Sequence, residues 1–244
     1  MKVAVFGACS AIAIEVARLY AADGHELYLV ARNEERLETV AADLRARGAS
    51  KVEIFSIDFL NTDAHHGLVE DIISKAESLD LALVAYGLLG DQLQAQRSFK
   101  KARKIIDTNF TSVVSLLTLL SNLMEKNASG TIAVISSVAG DRGRKSNYIY
   151  GSAKGGLNIF LQGLRNRLST SGVHVLTVKP GFVDTPMTAD FKKGLLWSKP
   201  EVVAAGIVKA VRKKKDIVYL PWFWRYIMLI IRHIPEKLFK RMSI

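Results

Sequence analysis

Two side chains that could move a proton lie four residues apart in the second half of the chain. Tyr150 and Lys154 belong to the stretch 147–154, and residues at i and i+4 share one face of a helix. A free phenol has a pKa of about 10, and a fixed positive neighbour lowers that pKa by favouring the phenolate. We therefore predict that Lys154 lowers the pKa of Tyr150 toward neutrality, the range in which general acid–base catalysis works best.

The elements that must position this pair follow from an alternation of short apolar runs with longer amphipathic stretches. The pattern predicts strands near 2–6, 26–31, 51–57, 80–85, 130–136, 173–179 and 216–220. It predicts helices near 11–22, 33–47, 62–77, 98–126, 147–170 and 199–212. Such alternation is typical of βαβ units, which form a parallel sheet with helices on both faces. We predict one α/β domain.

Two further polar residues accompany the pair. Ser137 lies thirteen residues before Tyr150 at the end of an apolar run, and Asn109 lies further upstream. Together the four residues resemble the catalytic positions of the short-chain dehydrogenase/reductase family, and the resemblance extends over about residues 2–220. It implies a doubly wound Rossmann-type domain whose seven parallel strands have the order 3-2-1-4-5-6-7.

The resemblance also implies a role for each of the four residues. Tyr150 would give a proton to the oxygen of a substrate carbonyl, and Ser137 would hold that oxygen in place. Lys154 would lower the pKa of the tyrosine and bind the nicotinamide ribose, and Asn109 would hold a water molecule that connects Lys154 to solvent. Ser136 is the alternative serine, but the thirteen-residue spacing favours Ser137.

The turn after the first strand is the predicted binding site for the pyrophosphate of the cofactor. Gly7 opens it, and helix amides can bind an anion there. Ala11 and Ala13 stand where the family usually has glycine, and each adds a methyl group. Ser10 could still donate a hydrogen bond and cap the helix. The predicted cofactor-binding residues are Gly7, Ser10, Ala11, Ile12, Arg32, Asn33, Asp58, Gly87, Tyr150, Lys154, Pro180, Gly181, Val183 and Thr185.

The end of the second strand bears on the choice of cofactor. Ala31 offers no carboxylate to a ribose 2′-hydroxyl, whereas Arg32 could pair with a 2′-phosphate. We therefore predict NADPH, with NADH as the alternative if Arg32 only faces solvent. The segment 84–86, Val-Ala-Tyr, replaces the usual Asn-Asn-Ala of the family, and we expect weaker polar bracing of the central sheet there.

Composition limits other classes of function. The single cysteine, Cys9, excludes a disulfide framework and a cysteine-based zinc site, and we predict no bound metal. The chain opens directly with a strand-like run, so we expect a cytoplasmic protein. The net charge is +11, and residues 190–244 hold thirteen Lys/Arg against four Asp/Glu. Nucleic-acid binding is not expected, because these charges lie among aliphatic residues without a recognised module.

Two segments indicate the kind of substrate. Arg142, Arg144 and Lys145 lie between Ser137 and Tyr150, and three cations at the mouth of a site suit a phosphate group. The alternative is a solvated loop. Further along, a mobile apolar lid is predicted to contact the substrate through Met187, Phe191 and Trp197.

The chain ends in a basic amphipathic tail, 221–244, which we separate from the body, 1–220. Its apolar residues recur at helical spacing and are Phe223, Ile227, Ile230, Ile234 and Leu238. The run is too short to span a bilayer, but tryptophans and cations favour an interfacial helix on an anionic membrane. We therefore expect a protein peripheral to the cytoplasmic membrane. The alternative is packing on the body or on a second subunit, and a homo-oligomer is expected.

Segments 84–91, 148–154 and 225–235 resemble one branch of the family more closely. That branch reduces a 2-keto-pentose carried on polyprenyl phosphate. The resemblance implies that the product is the arabinose form, in the second step of a ribose-to-arabinose epimerisation for cell-wall arabinan, and that a flavin-dependent oxidase makes the ketone. The alternatives are a reductase of another lipid ketone, of sterol or 3-ketoacyl type, and a non-catalytic dinucleotide-binding scaffold at the membrane.

Overall fold

Seven parallel strands form the centre of the computed structural model, which describes residues 1–242. They are β1 Lys2–Phe6, β2 Glu26–Ala31, β3 Lys51–Ser56, β4 Leu81–Val84, β5 Thr131–Ile135, β6 His174–Pro180 and β7 Ile217–Leu220. Their order is β3-β2-β1-β4-β5-β6-β7, so the predicted order is confirmed. Two residues of the predicted tail, 243 and 244, lie outside the described part of the chain.

Helices cover both faces of this sheet. The first group is α1 Ala11–Ala22, α2 Glu34–Ala46, α3 His65–Ala76, α4 Gln92–Ala95 and α5 Phe99–Ile106. The second is α6 Ser112–Lys126, α7 Tyr148–Leu168, α8 Pro200–Arg212, α9 Trp224–His233 and α10 Glu236–Phe239. Helices α1, α2 and α8 share one apolar core with the sheet, and α3, α6 and α7 share the other. Burial on both faces explains why the strands read as continuous apolar runs.

The helix predicted over 98–126 is two helices joined by a π-helical turn, Asp107–Thr111. Asn109 lies in this turn, fully buried, and its Nδ2 donates to the carbonyl oxygen of Ile105 at 2.8 Å. A π-turn inserts one extra residue into the helical ladder and is frequent at functional sites. The turn therefore directs Asn109 toward the ends of the central strands.

The tail packs on the body through one face of α9. Trp224 and Met228 are buried there against Val138, in a small cluster of apolar residues. Ile230 and Leu238, which belong to the stripe predicted from spacing, are exposed instead. Of the two interpretations of the tail, packing on the body is therefore confirmed for one face of the helix. Among residues 1–242, no helix has the length and apolar character that crossing a membrane requires.

Candidate active site

The carboxyl ends of the central strands open into one large cavity. Its volume is about 880 Å³, within the range of roughly 300–1,000 Å³ that small-molecule sites occupy. The walls come from the β1–α1 turn, the ends of β4, β5 and β6, and the start of α7. In a doubly wound sheet this edge is where ligands bind, because the strand order reverses there.

Tyr150 and Lys154 lie on α7 and both line the cavity. The Nζ atom of Lys154 lies 5.9 Å from the centroid of the Tyr150 ring and donates to the carbonyl oxygen of Ile135 at 3.0 Å. Burial disfavours the charged form of an amine and lowers the pKa of Lys154 to about 8. Burial therefore brings the pKa of Lys154 closer to neutrality than that of a free lysine.

The pKa of Tyr150 differs from the prediction. Burial raises this pKa to about 12, and a hydrogen bond with Ser137 opposes the rise only in part. The prediction of a near-neutral pKa is thus wrong, because the spacing indicated the cation but gave no measure of the burial. The phenol is held protonated, which is the form that a proton donor requires.

The two neighbouring serines have different environments. Ser137 begins a 3₁₀ turn, where its Oγ accepts from the backbone N–H of Ala139 at 3.0 Å, and it shares a hydrogen bond with Tyr150. Ser136 donates its hydroxyl to Oδ1 of Asn158 at 2.7 Å. The structure therefore brings Ser137 to the tyrosine, whereas the hydroxyl of Ser136 is bonded inside the fold.

Gly87 allows the side chain of Asn109 to lie close to Lys154. Nδ2 of Asn109 donates to the carbonyl oxygen of Leu88 at 2.6 Å, and its Oδ1 accepts from the N–H of Leu88 at 3.2 Å. A Cβ at Gly87 would lie 2.7 Å from Oδ1 of Asn109 and 3.7 Å from Nζ of Lys154. Only glycine leaves room for this approach. The water molecule that Asn109 is predicted to hold stays a prediction.

The turn between β1 and α1 has the form that a phosphate needs. Gly7 has a φ of +88°, and a Cβ there would lie 2.6 Å from the backbone nitrogen of Tyr86, so the position requires glycine. Ser10 caps α1, with its Oγ accepting from the N–H of Ala13 at 3.3 Å. Ser10, Ala11 and Ile12 line the cavity, whereas Ala13 is buried. The two alanines are thus accommodated, and the start of α1 fits a cofactor pyrophosphate.

The cation nearest this turn is one that sequence reasoning missed. Arg36 lines the cavity, and its Nη2 donates to the carbonyl oxygen of Cys9 at 3.2 Å. Arg32 and Asn33 do not line the cavity, and the side chain of Asn33 instead caps α2 by accepting from the N–H of Arg36 at 2.7 Å. The available signal was the position of Arg36 in the first turn of the helix that follows β2.

Two other predicted features of the cofactor region also differ in detail. Asp58 lies outside the cavity wall, where its Oδ1 accepts from the N–H of Leu60 at 3.1 Å. Tyr86 stacks on Phe59 with ring centroids 4.0 Å apart, and its hydroxyl accepts from Ser112 at 3.3 Å. This aromatic contact braces the end of β4 in place of the asparagines of the family.

The segment after β6 completes the wall at the opposite end. Pro180, Gly181, Val183 and Thr185 all line the cavity. A Cβ built at Gly181 would overlap the indole ring of Trp224, so this glycine is needed for close packing of the tail. The cavity wall and the tail helix are therefore one packed unit.

Comparison with known proteins decides the family. The family model described as short chain dehydrogenase matches residues 1–195. The chain belongs to the short-chain dehydrogenase family. As a member it is an NAD(P)-dependent oxidoreductase.

Relatives and solved structures agree with this assignment. An uncharacterized oxidoreductase of Mycobacterium tuberculosis is 39% identical over 240 residues, which is 98% of this chain and 96% of the relative. One from Streptomyces coelicolor is 35% identical over 98% of this chain and 95% of its own length. In fold, the chain is similar to an actinorhodin polyketide ketoreductase with NADPH (TM-score 0.77, 24% identity, 86% and 90% of the two chains). It is also similar to an alcohol dehydrogenase of Thermococcus sibiricus (TM-score 0.79, 23% identity, 90% and 95%).

The three cations of the loop between Ser137 and Tyr150 do not all line the large cavity, contrary to the prediction. Nη1 of Arg142 donates to the carbonyl oxygens of Ile231 and Ile234 at 2.7 and 2.6 Å. Arg142 therefore closes the carboxyl end of α9 and does not line the cavity, which corrects its predicted contact with substrate. Lys145 lines a separate small cavity beneath the tail, which Arg144 also lines. Of the three cations, only Arg144 lines the large cavity.

A buried polar network beneath this loop was not predicted. Asp141 accepts from Nζ of Lys179 at 2.6 Å and from the hydroxyl of Tyr219 at 2.7 Å. Its Oδ1 also accepts from Nδ2 of Asn158 at 3.4 Å. The network ties the loop between Ser137 and Tyr150 to β6, β7 and α7. No local pattern indicated this network, because its members are far apart along the chain.

The predicted lid lies over the cavity but uses only part of its predicted contacts. Met187 and Phe191 line the cavity and are also half exposed to solvent. Trp197 lies outside the cavity wall, because its ring stacks on Phe182 with centroids 5.5 Å apart. Phe182 in turn meets Trp224 edge to face at 5.1 Å. This row of rings connects the lid to the tail helix.

Proposed function

We propose that the protein reduces a substrate ketone through Tyr150. The main support is the position of Tyr150, which lies against Ser137 and beside Lys154 at the wall of the large cavity. Burial raises its pKa and keeps the phenol protonated. Ser137 holds the carbonyl oxygen, Tyr150 gives it a proton, and the ammonium of Lys154 stabilises the phenolate that remains. When bound, the nicotinamide cofactor supplies the hydride.

The substrate we propose is a 2-keto-pentose carried on polyprenyl phosphate, reduced to its arabinose form. Segments 84–91, 148–154 and 225–235 resemble the decaprenylphosphoryl 2-keto-erythro-pentose reductase, which is the basis of this assignment. The mouth of the cavity supports it with apolar side chains that suit a lipid, among them Leu89, Leu93, Met187 and Phe191. The reaction would be the second step of a ribose-to-arabinose epimerisation for cell-wall arabinan. A flavin-dependent oxidase partner would supply the ketone.

A second candidate is reduction of a 3-ketoacyl substrate. It is favoured by a relative from Chlamydia muridarum, a 3-oxoacyl-[acyl-carrier-protein] reductase that is 29% identical over 191 residues, 78% of this chain and 77% of the relative. The test is kcat/KM for the polyprenylphosphoryl keto-pentose, a 3-ketoacyl thioester and a sterol ketone side by side. The keto-pentose should be preferred. A clear preference for either other ketone would replace the proposed substrate.

We propose that the protein prefers NADPH to NADH as its cofactor. Arg36, beside the phosphate turn, is the guanidinium placed to read a 2′-phosphate. Arg36→Ala should lower kcat/KM for NADPH by roughly 10- to 100-fold, the value of a charge-assisted hydrogen bond. Turnover with NADH should change little. Arg32→Ala is the matched control, and it should have the smaller effect on both cofactors.

A reversed result would contradict this assignment. If Arg32→Ala impairs NADPH use and Arg36→Ala does not, the 2′-phosphate lies nearer Arg32. If the wild-type protein is more efficient with NADH, neither arginine reads a 2′-phosphate.

We also propose that the protein docks on an anionic membrane to reach its lipid. The outer face of α9 exposes Tyr226, Leu229 and Ile230 beside Arg225 and Arg232. The adjoining lid exposes further apolar side chains, Leu195 and Leu196. Apolar residues among cations are typical of a helix that lies in the membrane interface. The tail helix lies beside the cavity, because Phe182 lines the cavity and contacts both Trp197 of the lid and Trp224 of α9.

Substitutions on the outer face of α9 test this docking. The double variant Leu229→Ser/Ile230→Ser should weaken binding to phosphatidylglycerol-containing vesicles by roughly tenfold or more, since it removes two inserted apolar side chains. Phe99→Ser/Ile159→Ser is the matched control, because it removes two exposed apolar side chains from other helices. Equal loss in both variants, or in neither, would contradict docking through α9. The homo-oligomer stays a prediction.

A further inference from the structure

One buried guanidinium beside the cavity forms no ion pair with any carboxylate of residues 1–242. Arg144 is 7% exposed and lines the cavity from the loop between Ser137 and Tyr150. Among residues 1–242, no carboxylate forms an ion pair with it, and its Nε has no hydrogen-bond partner. Its Nη2 lies 3.3 Å from Sδ of Met228, and a thioether is a weak acceptor.

A buried charge without a partner destabilises the folded state. Burial lowers the pKa of Arg144, and attraction to Asp141 opposes that change only in part. Asp141 forms its ion pair with Lys179 and accepts from Tyr219, and it forms none with Arg144. The loop therefore keeps an excess of positive charge at the cavity wall. An anion that enters the cavity would offset it.

The position of Arg144 indicates which anion this is. The pyrophosphate of a cofactor has its own site at the start of α1, where Gly7 and Ser10 shape the turn and Arg36 adds a charge. Arg144 instead belongs to the loop that carries the proposed carbonyl-binding serine. An anion bound there belongs to the molecule that is reduced.

We propose that Arg144 is a specificity-determining residue that binds a phosphate group on the substrate. The inference rests on the proposed function for the reaction, and it deepens that function by naming the group that selects the substrate. A guanidinium offers two parallel N–H donors, which match two phosphate oxygens. Nη2, which meets only a weak thioether acceptor, is the donor that a phosphate would engage, and the buried Nε has no partner among the described residues.

The test uses short soluble probes, farnesyl phosphate and farnesol, with NADP⁺ present at saturation. Calorimetry should show that the wild-type protein binds farnesyl phosphate more tightly than farnesol. Arg144→Met should lose roughly 10- to 100-fold in affinity for farnesyl phosphate, as expected for hydrogen bonds to a charged group. Its affinity for farnesol and for NADP⁺ should be unchanged. Arg144→Lys, which keeps the charge, should restore part of the loss.

Lys126→Gln is the control for charge alone, because it removes an exposed cation at the end of α6, and it should leave farnesyl phosphate binding unchanged. Equal affinity of the wild-type protein and Arg144→Met for farnesyl phosphate would overturn the proposal. So would a loss of NADP⁺ affinity alone, which would assign Arg144 to the cofactor. If Arg144→Met does not fold, a wild-type protein that binds both probes equally overturns the proposal, and a phosphate preference reduced in Arg144→Lys supports it.

These readouts separate the two proposals. If farnesyl phosphate binding depends on Arg144 but the keto-pentose is not reduced, the sugar is wrong and the phosphate contact stands. If the keto-pentose is reduced equally well by Arg144→Met, the reaction stands and the assignment of Arg144 is overturned.

Discussion

Tyr150→Phe should lower kcat by at least about 100-fold, because positioned acid catalysis contributes typically 10²- to 10⁴-fold. The substitution removes only the hydroxyl, so the ring keeps its place on α7. Cofactor affinity should therefore change little. Steady-state rates together with a direct cofactor-binding measurement check both statements.

Tyr148→Phe is the matched control for this prediction. Tyr148 lies at the start of the same helix but is exposed to solvent, so the control should keep wild-type turnover. Comparable turnover in Tyr150→Phe and Tyr148→Phe would remove Tyr150 as the proton donor. Loss of cofactor binding in Tyr150→Phe would instead make its effect structural.

Trp224→Ala should lower the free energy of unfolding by about 3–5 kcal/mol, the usual range for removal of a buried large aromatic side chain. Trp224 is 2% exposed, and its indole fills the space left by Gly181 in the cavity wall. Urea denaturation gives the change in free energy through the shift in the midpoint. Turnover should also fall, since α9 packs against Val138, the residue next to Ser137.

Trp222→Ala is the control two residues away. Trp222 is 71% exposed, so its substitution should change stability by no more than about 0.5 kcal/mol. Trp224→Phe should lower the free energy of unfolding by less than Trp224→Ala does. It keeps most of the ring and removes a buried N–H that has no hydrogen-bond partner among residues 1–242. Equal destabilisation by Trp222→Ala and Trp224→Ala would contradict the packing of α9 on the body.

Local patterns in the sequence predicted the sheet and the central pair of the site. The apolar runs indicated all seven strands, since strands buried on both faces must be apolar throughout. Tyr150 and Lys154 were predictable as neighbours because one helix holds them both. In each case the information lies within a few residues of the position concerned.

Features that depend on tertiary contacts could not be predicted in this way. The carboxylate of Asp141 meets Lys179 and Tyr219 across long stretches of chain. Arg142 is engaged by the carboxyl end of α9, about ninety residues later. The pKa of Tyr150 rises because of burial, which spacing does not report.

The tail shows why an amphipathic pattern leaves two interpretations open. Trp224 and Met228 pack on the body, while Leu229 and Ile230, the next residues around the helix, remain exposed. Both faces of α9 therefore carry apolar side chains, whereas the spacing predicted one apolar stripe along the tail. The buried face holds the helix against Val138. The exposed face is the surface that we propose to contact the membrane.

The most direct test of the proposed function follows the pentose itself. Polyprenylphosphoryl ribose, a flavin-dependent oxidase and NADPH are incubated with the wild-type protein or with Tyr150→Phe, and the sugar is then released and identified. We expect arabinose with the wild-type protein, with NADPH oxidised in equal amount, and accumulated ketone with Tyr150→Phe. Accumulated ketone with the wild-type protein, under conditions in which it binds cofactor and reduces a 3-ketoacyl thioester, would contradict the proposed function.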